Sequence, residues 1–151
     1  MIKTNKTFSR LAAVQILFQL DFNEKMNIEI FKEISDEIIY EKYISFKDIN
    51  DKNYKNLKLD KKWFFTLVTK VFSLKKDIDE KLTQYFDGSW TADRMDVTLI
   101  NILRCAYVEF KYFSGIPLNV VISEYTNVSA CFFNDPEINF VNSFLDRLSK
   151  S

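Results

Sequence analysis

Asp96-Val97-Thr98-Leu99-Ile100-Asn101-Ile102-Leu103-Arg104-Cys105-Ala106-Tyr107-Val108-Glu109-Phe110, closed by Ser114-Gly115-Ile116-Pro117, is the stretch that decides the fold. Val97, Ile100, Leu103, Ala106, Tyr107 and Phe110 recur at three- and four-residue steps, which places them on one face of an α-helix. Asp96 stands where a capping side chain is wanted, and glycine followed by proline is a strong stop. Arg104 and Glu109 lie among apolar neighbours, where a charge persists only if it is paired, so both are expected to fix helix packing through hydrogen bonds. Tyr107 and Trp90 are expected to be structural, burying area in the core.

The same reading extends in both directions. After the stop, Pro117 suits a first helical position, with Val120, Val121, Glu124, Val128 and Phe132 continuing the period. Asp135-Pro136-Glu137 then supplies cap, first-turn proline and first-turn acid for a last helix carrying Ile138, Val141, Phe144, Leu145 and Leu148. Upstream, Trp90-Thr91-Ala92 opens a short helical turn. Asp60 is the expected cap of a long helix with Phe64, Leu67, Val68, Val71, Phe72, Ile78 and Leu82 as its stripe, ending near Phe86-Asp87-Gly88-Ser89. Asn27 is the expected cap of a helix with Ile28, Phe31, Ile34 and Ile38, and the lysine- and aspartate-rich residues from Glu41 to Leu59 suit an irregular connection. Thr7 and Ser9 are the expected caps of the first helix, in which Leu11, Val14, Leu17 and Phe18 recur, widened by Ala13, Ile16 and Leu20. The sum is an all-α fold of about six to seven helices in two packed subdomains, 1–86 and 87–151, together one domain.

Composition narrows the function. The 151 residues are 47% hydrophobic and 16% aromatic, with two Gly, two Pro and no His. Disorder and turn-rich β folds fit poorly, and His-based triads and His metal ligands are excluded. Gly88 and Gly115 stand alone, so no phosphate-cradling glycine loop exists. Cys105 and Cys131 lack the spacing of a metal site and read as buried thiols in a reducing compartment. The polar start, Met1 to Arg10, and the lack of a long apolar run favour a cytoplasmic protein without a membrane span. No catalytic residues, metal or cofactor are expected. The net charge of zero hides a pattern. Residues 1–20 carry Lys3, Lys6 and Arg10 and no acid (+3), residues 21–41 net −5, residues 42–62 net +4, residues 63–81 net +1, and residues 82–151 net −3. A basic start on a neutral body suggests a local polyanion contact.

Four segments in order resemble the bacterial NusB transcription antitermination family. They are Arg10-Leu11-Ala12-Ala13-Val14-Gln15-Ile16-Leu17-Phe18-Gln19, Ile102-Leu103-Arg104-Cys105-Ala106-Tyr107-Val108-Glu109, Ile116-Pro117-Leu118-Asn119-Val120-Val121-Ile122-Ser123-Glu124-Tyr125, and Phe140-Val141-Asn142-Ser143-Phe144-Leu145-Asp146. The resemblance implies a two-part helical bundle that binds rather than catalyses. Its ligand would be boxA-type single-stranded RNA of ribosomal leader transcripts, held jointly with NusE, the small-subunit ribosomal protein, in a complex acting on RNA polymerase. Carried over by position, Lys3, Lys6 and Arg10 would contact phosphate, while Phe18, Phe140 and Asn142 would line the RNA surface. Asp93, Val97 and Ile100 would receive the protein partner, and a homodimer is a further possibility. Cations for phosphates and aromatic faces for unpaired bases suit single-stranded RNA on chemical grounds. Alternatives are an RNA-binding module related to the amino-terminal part of ribosomal RNA cytosine methyltransferases, or a helical interaction or dimerisation module without nucleic acid.

Overall fold

A computed structural model of the chain describes residues 4–22, 31, 33, 57–88 and 91–151. Among these residues there are five α-helices, one 3-10 turn and no strand. They are α1 (Asn5–Phe22), α2 (Lys61–Thr83), α3 (Val97–Tyr112), α4 (Leu118–Ala130) and α5 (Asp135–Ser149), with the turn at Ala92–Arg94 between α2 and α3. The described residues thus supply five of the six to seven helices expected of the whole chain. The helix expected after Asn27 lies outside the described residues, apart from Phe31 and Glu33, as do Trp90 and the expected connection up to residue 56.

The α3 helix is the axle: α1, α2, α4 and α5 all pack on it, α1 also lies against α2 and α4, and α4 pairs with α5. One cluster of buried residues runs through all five helices, including Leu11 and Val14 of α1, Leu67 and Val71 of α2, Leu103 of α3, Val121 of α4, and Phe144 of α5. Tyr107 is half-buried and packs against this cluster. Burying a helix all round is what the apolar breadth of α1 requires, and its residues from Thr7 to Val14 are all buried. Two stripe residues fall off the buried face: Phe72 and Val120 are exposed. On α4 the fully buried aromatic is Tyr125, which lies four positions beyond Val121 and three before Val128, the spacing of one helical face.

The caps behave differently from one another. Asp96 accepts from the Leu99 N–H at 3.1 Å, as expected. Thr7 and Ser9 lie inside α1 instead of capping it; the helix begins at Asn5, and Thr4 Oγ1 accepts from the Thr7 N–H at 3.1 Å. Asp60 precedes α2 but spends its carboxylate on Lys6, 2.6 Å away. Pro117 and Asn134 precede α4 and α5, so the first-turn positions there are shifted by one residue from the expectation. Gly115 has φ +89° and Gly88 φ +65°, left-handed values that any side chain would strain, which is why these residues end α3 and follow α2.

Candidate nucleic-acid interface

The amino-terminal turns of α1 carry the basic residues. Lys6 is half-buried, bonded to Asp60 and seated 4.7 Å above the centre of the Trp63 ring. Its hydrogen bond and charge hold the Asp60 carboxyl below the usual range. Two further bonds pin the start of α2 to α1: the Lys58 N–H donates to Asn5 Oδ1 at 3.0 Å and the Asp60 N–H to Ser9 Oγ at 2.8 Å. Lys3 lies outside the described residues.

Arg10 is placed inside the protein, 3% exposed, and is not a solvated helix-start residue. Its Nε and Nη2 fork the Glu109 carboxylate at 2.9 and 2.8 Å, Nη1 lies 3.4 Å from Glu124, and the guanidinium stacks over Trp63 and Tyr125. The Tyr125 hydroxyl donates to Glu109, and the Thr7 hydroxyl to Glu124. Burial alone would loosen Arg10's proton, but the hydrogen bond and charge of Glu109, with smaller help from Tyr125 and Glu124, raise its pKa above the ordinary arginine value. The guanidinium is a fixed cation, and a phosphate would reach it only by displacing a carboxylate. Glu124 therefore belongs to the α1 neighbourhood and not to a remote face. Burial also raises the Tyr125 hydroxyl and the Cys105 thiol beside this network, with the Glu109 charge adding to both.

A second buried cation holds the other end of α1. Arg104 forks Asp79 at 2.8 Å through Nε and Nη2, bonds Asn101 at 2.9 Å, and lies 3.5 Å from Asp21. Both charged residues of the α3 motif thus tie helices together, as their setting suggested. Phe18 is half-buried on α1, about 12 Å from Arg10 along the helix axis, with its ring 4.8 Å from that of exposed Phe22. Asp93, Val97 and Ile100 line one recess of about 290 Å³ together with Asp21, Lys75 and Arg104. Ile100 forms its buried floor, Val97 is half-buried, and Asp93 is exposed on the rim, its carboxyl held acidic chiefly by the Thr91 hydroxyl. A wider hollow on the same side brings exposed Phe72 and Lys76 next to Asp93.

Phe140 and Asn142 sit on α5, with Asn142 exposed and Phe140 half-buried, its ring 5.6 Å from Phe144. Phe140 faces a groove of about 450 Å³ whose walls include Phe86, Arg94, Leu99, Glu137 and Arg147. Oε2 of Glu137 is buried there without a hydrogen-bond partner among the described residues. The groove thus combines aromatic faces and two guanidinium groups with a carboxylate, one oxygen of which is buried and unpaired among the described residues. Nothing in the sequence marks Phe86, Arg94, Glu137 and Arg147 as ligand-facing, because they come from three separate segments and share no spacing. The Asp93 recess and the α5 groove adjoin, since Met95 lines both, whereas no described contact joins Lys6 and Arg10 to the groove.

The NusB family matches residues 7–150. The chain belongs to the NusB family. Its relatives include the transcription antitermination protein NusB of Bartonella henselae, 35% identical over 94% of this chain and 85% of the relative, and that of Mesorhizobium japonicum, 33% identical over 94% and 86%. Among solved structures, T. maritima NusB superposes with a TM-score of 0.75 at 26% identity, covering 99% of this chain and 94% of the other. The all-helical NusB arrangement expected from the four motifs is therefore the observed fold. Among the described residues no helix is long and apolar enough to cross a membrane, and no group of three or more metal-ligating side chains of the usual kinds occurs.

Proposed function

We propose that this NusB-family chain is an RNA-binding antitermination factor without catalysis of its own, acting in the cytoplasm. In this reading it takes boxA-type single-stranded RNA jointly with NusE, and the complex acts on RNA polymerase during elongation of ribosomal RNA operons. The observation that carries the reading is the family match across residues 7–150, which includes the Phe140-Val141-Asn142 motif. The groove chemistry supports it: Phe140 and Phe86 offer stacking faces, and Arg94 and Arg147 suit phosphates. Lys3 and Lys6 serve as phosphate contacts, and Arg10 supports them by fixing the start of α1. Phe18 and Asn142 complete the RNA-lining set. NusE takes the side of Asp93, Val97 and Ile100, where exposed Phe72 adds apolar area.

The test is fluorescence anisotropy with labelled boxA RNA and a scrambled RNA of equal length, with and without NusE. NusE is expected to raise boxA affinity at least about tenfold, about 1.4 kcal/mol, by adding RNA contacts and a second anchor. Phe140→Ala is expected to weaken boxA more than the scrambled strand, whereas Lys6→Ala weakens both alike, since phosphate contacts carry no sequence information. No retention of boxA by the mixed proteins at low salt sinks the proposal.

A further inference from the structure

The helix α2 turns one flank outward beside the start of α1, and that flank alternates cations with rings. Trp63 and Lys70, seven positions apart, share it, with Lys62 and Thr66 on its outer side. Trp63 carries Lys6 over its ring at 4.7 Å and meets Phe113 edge-on at 5.6 Å. Lys70 sits 4.7 Å above the ring of Tyr112, which is 45% exposed. Lys58 and Lys62 are exposed, and among the described residues neither they nor Lys70 meet an acid; the strip's acid is Asp60, already taken by Lys6. The aromatic residues reach this flank from α2 and from the end of α3, while Lys6 reaches it from α1, so the strip is assembled by packing and crosses three helices.

Two features set the strip apart from an ordinary solvated surface. The first turns of both α1 and α2 carry lysines and no acid, although the helix dipole favours acids there, and the one acid at the start of α2, the N-cap Asp60, is paired with Lys6. Local rules are commonly broken in this way where a surface serves a ligand. Lys6 and Lys70 are also seated on rings instead of extending into water, and Tyr112 stays 45% exposed, which leaves cationic and π surface side by side along the flank. Phosphodiester backbones with unpaired bases match both at once, whereas an acidic polypeptide would use only the cations.

We infer that the strip formed by Lys6, Lys62, Trp63, Lys70 and Tyr112 is a second binding surface for single-stranded nucleic acid, distinct from the α5 groove and indifferent to base sequence. It rests on the RNA-binding reading above and deepens it: RNA flanking the recognised bases lies along α2.

The probe is a labelled oligouridylate of about twenty nucleotides, which follows the backbone term without boxA sequence, titrated from low to physiological salt. Lys62→Ala/Lys70→Ala is expected to make the slope of log K against log salt shallower by about 1.4, at about 0.7 per lost contact. Tyr112→Ala is expected to weaken binding at least about fivefold, the loss of one stacking face. Circular dichroism should show both variants folded, since these side chains lie at the surface; Lys62→Arg/Lys70→Arg keeps the charge and should retain binding. Unchanged affinity and slope in the Ala variants overturn the inference, even if Phe140→Ala still lowers boxA affinity, in which case the functional reading stands. Loss of oligouridylate binding in those variants, with boxA and scrambled RNA bound alike, upholds the strip and defeats that reading. Displacement of oligouridylate by oligoglutamate at equal concentration also overturns it and assigns the strip to an acidic protein.

Discussion

Replacing Glu109 by Gln keeps the shape of the side chain and removes the charge that compensates Arg10. Both side chains are almost wholly buried, 4% exposed for Arg10 and 0% for Glu109. Removing one partner of such a pair typically costs about 3 to 5 kcal/mol, because the remaining charge stays out of water. Glu124, 3.4 Å from the guanidinium, supplies partial compensation, which puts the expected loss near the lower end, about 3 kcal/mol. For a domain of this length that corresponds to a fall in Tm of about 6 to 12 °C. Urea unfolding followed by far-UV circular dichroism would show a lower midpoint with an unchanged m-value, the mark of a stability change alone. The companion variants are Arg10→Met and the double Arg10→Met/Glu109→Gln, where the orphaned charge is absent and the introduced amide oxygen still accepts from the Tyr125 hydroxyl. The double variant should lose at least about 1.5 kcal/mol less than the sum of the singles, a coupling expected of groups in direct contact. A Glu109→Gln loss under about 1 kcal/mol, or strict additivity, would refute the view of Arg10 as a buried structural cation.

Three further outcomes follow from the same structure. Asp96→Ala removes the acceptor for the Leu99 N–H and should cost about 0.5 to 2 kcal/mol in urea unfolding, with Asp96→Asn close to the parent. Burial and the Glu109 charge raise Tyr125 and Cys105 in the folded state, so their neutral forms stabilise the fold below their ordinary values of 10.0 and 9.0, and that contribution is lost as pH climbs through the higher folded values. Stability measured from pH 7 upward should thus begin to fall near pH 9, and a Tyr125→Phe/Cys105→Ala variant should show a flatter alkaline limb. Finally, both cysteines are buried, so a thiol reagent should label neither in the native protein at neutral pH and both in urea; rapid native labelling would contradict the packing of α3 and α4.

Much of the fold was legible because its signals are local. The period of Ile100, Leu103 and Ala106, the Asp96 cap and the Gly115-Ile116-Pro117 stop all act within a few residues, and the helices they imply are those observed. The exposed positions of Phe72 and Val120 were not legible, since a stripe of apolar residues does not reveal where its edge leaves the core. The caps divide for a related reason: Asp60 stands at the N-cap of α2 as expected but gives its carboxylate to Lys6, while Ser9 lies inside α1 and accepts from the Asp60 N–H, so tertiary partners claim side chains that suit a cap in isolation. The candidate site divides along the same line. Sequence alone determined a helical chain with a cationic start and an ordered set of NusB motifs, because composition, period and motif order are properties of the chain taken singly. Only packing decided that Arg10 meets Glu109, ninety-nine positions away, and so becomes an internal strut, while Lys6, Lys62 and Lys70 remain outside, Lys6 and Lys70 seated on their rings. A charge's role depends on whether water or a carboxylate surrounds it, and that is settled when helices distant in sequence close on one another.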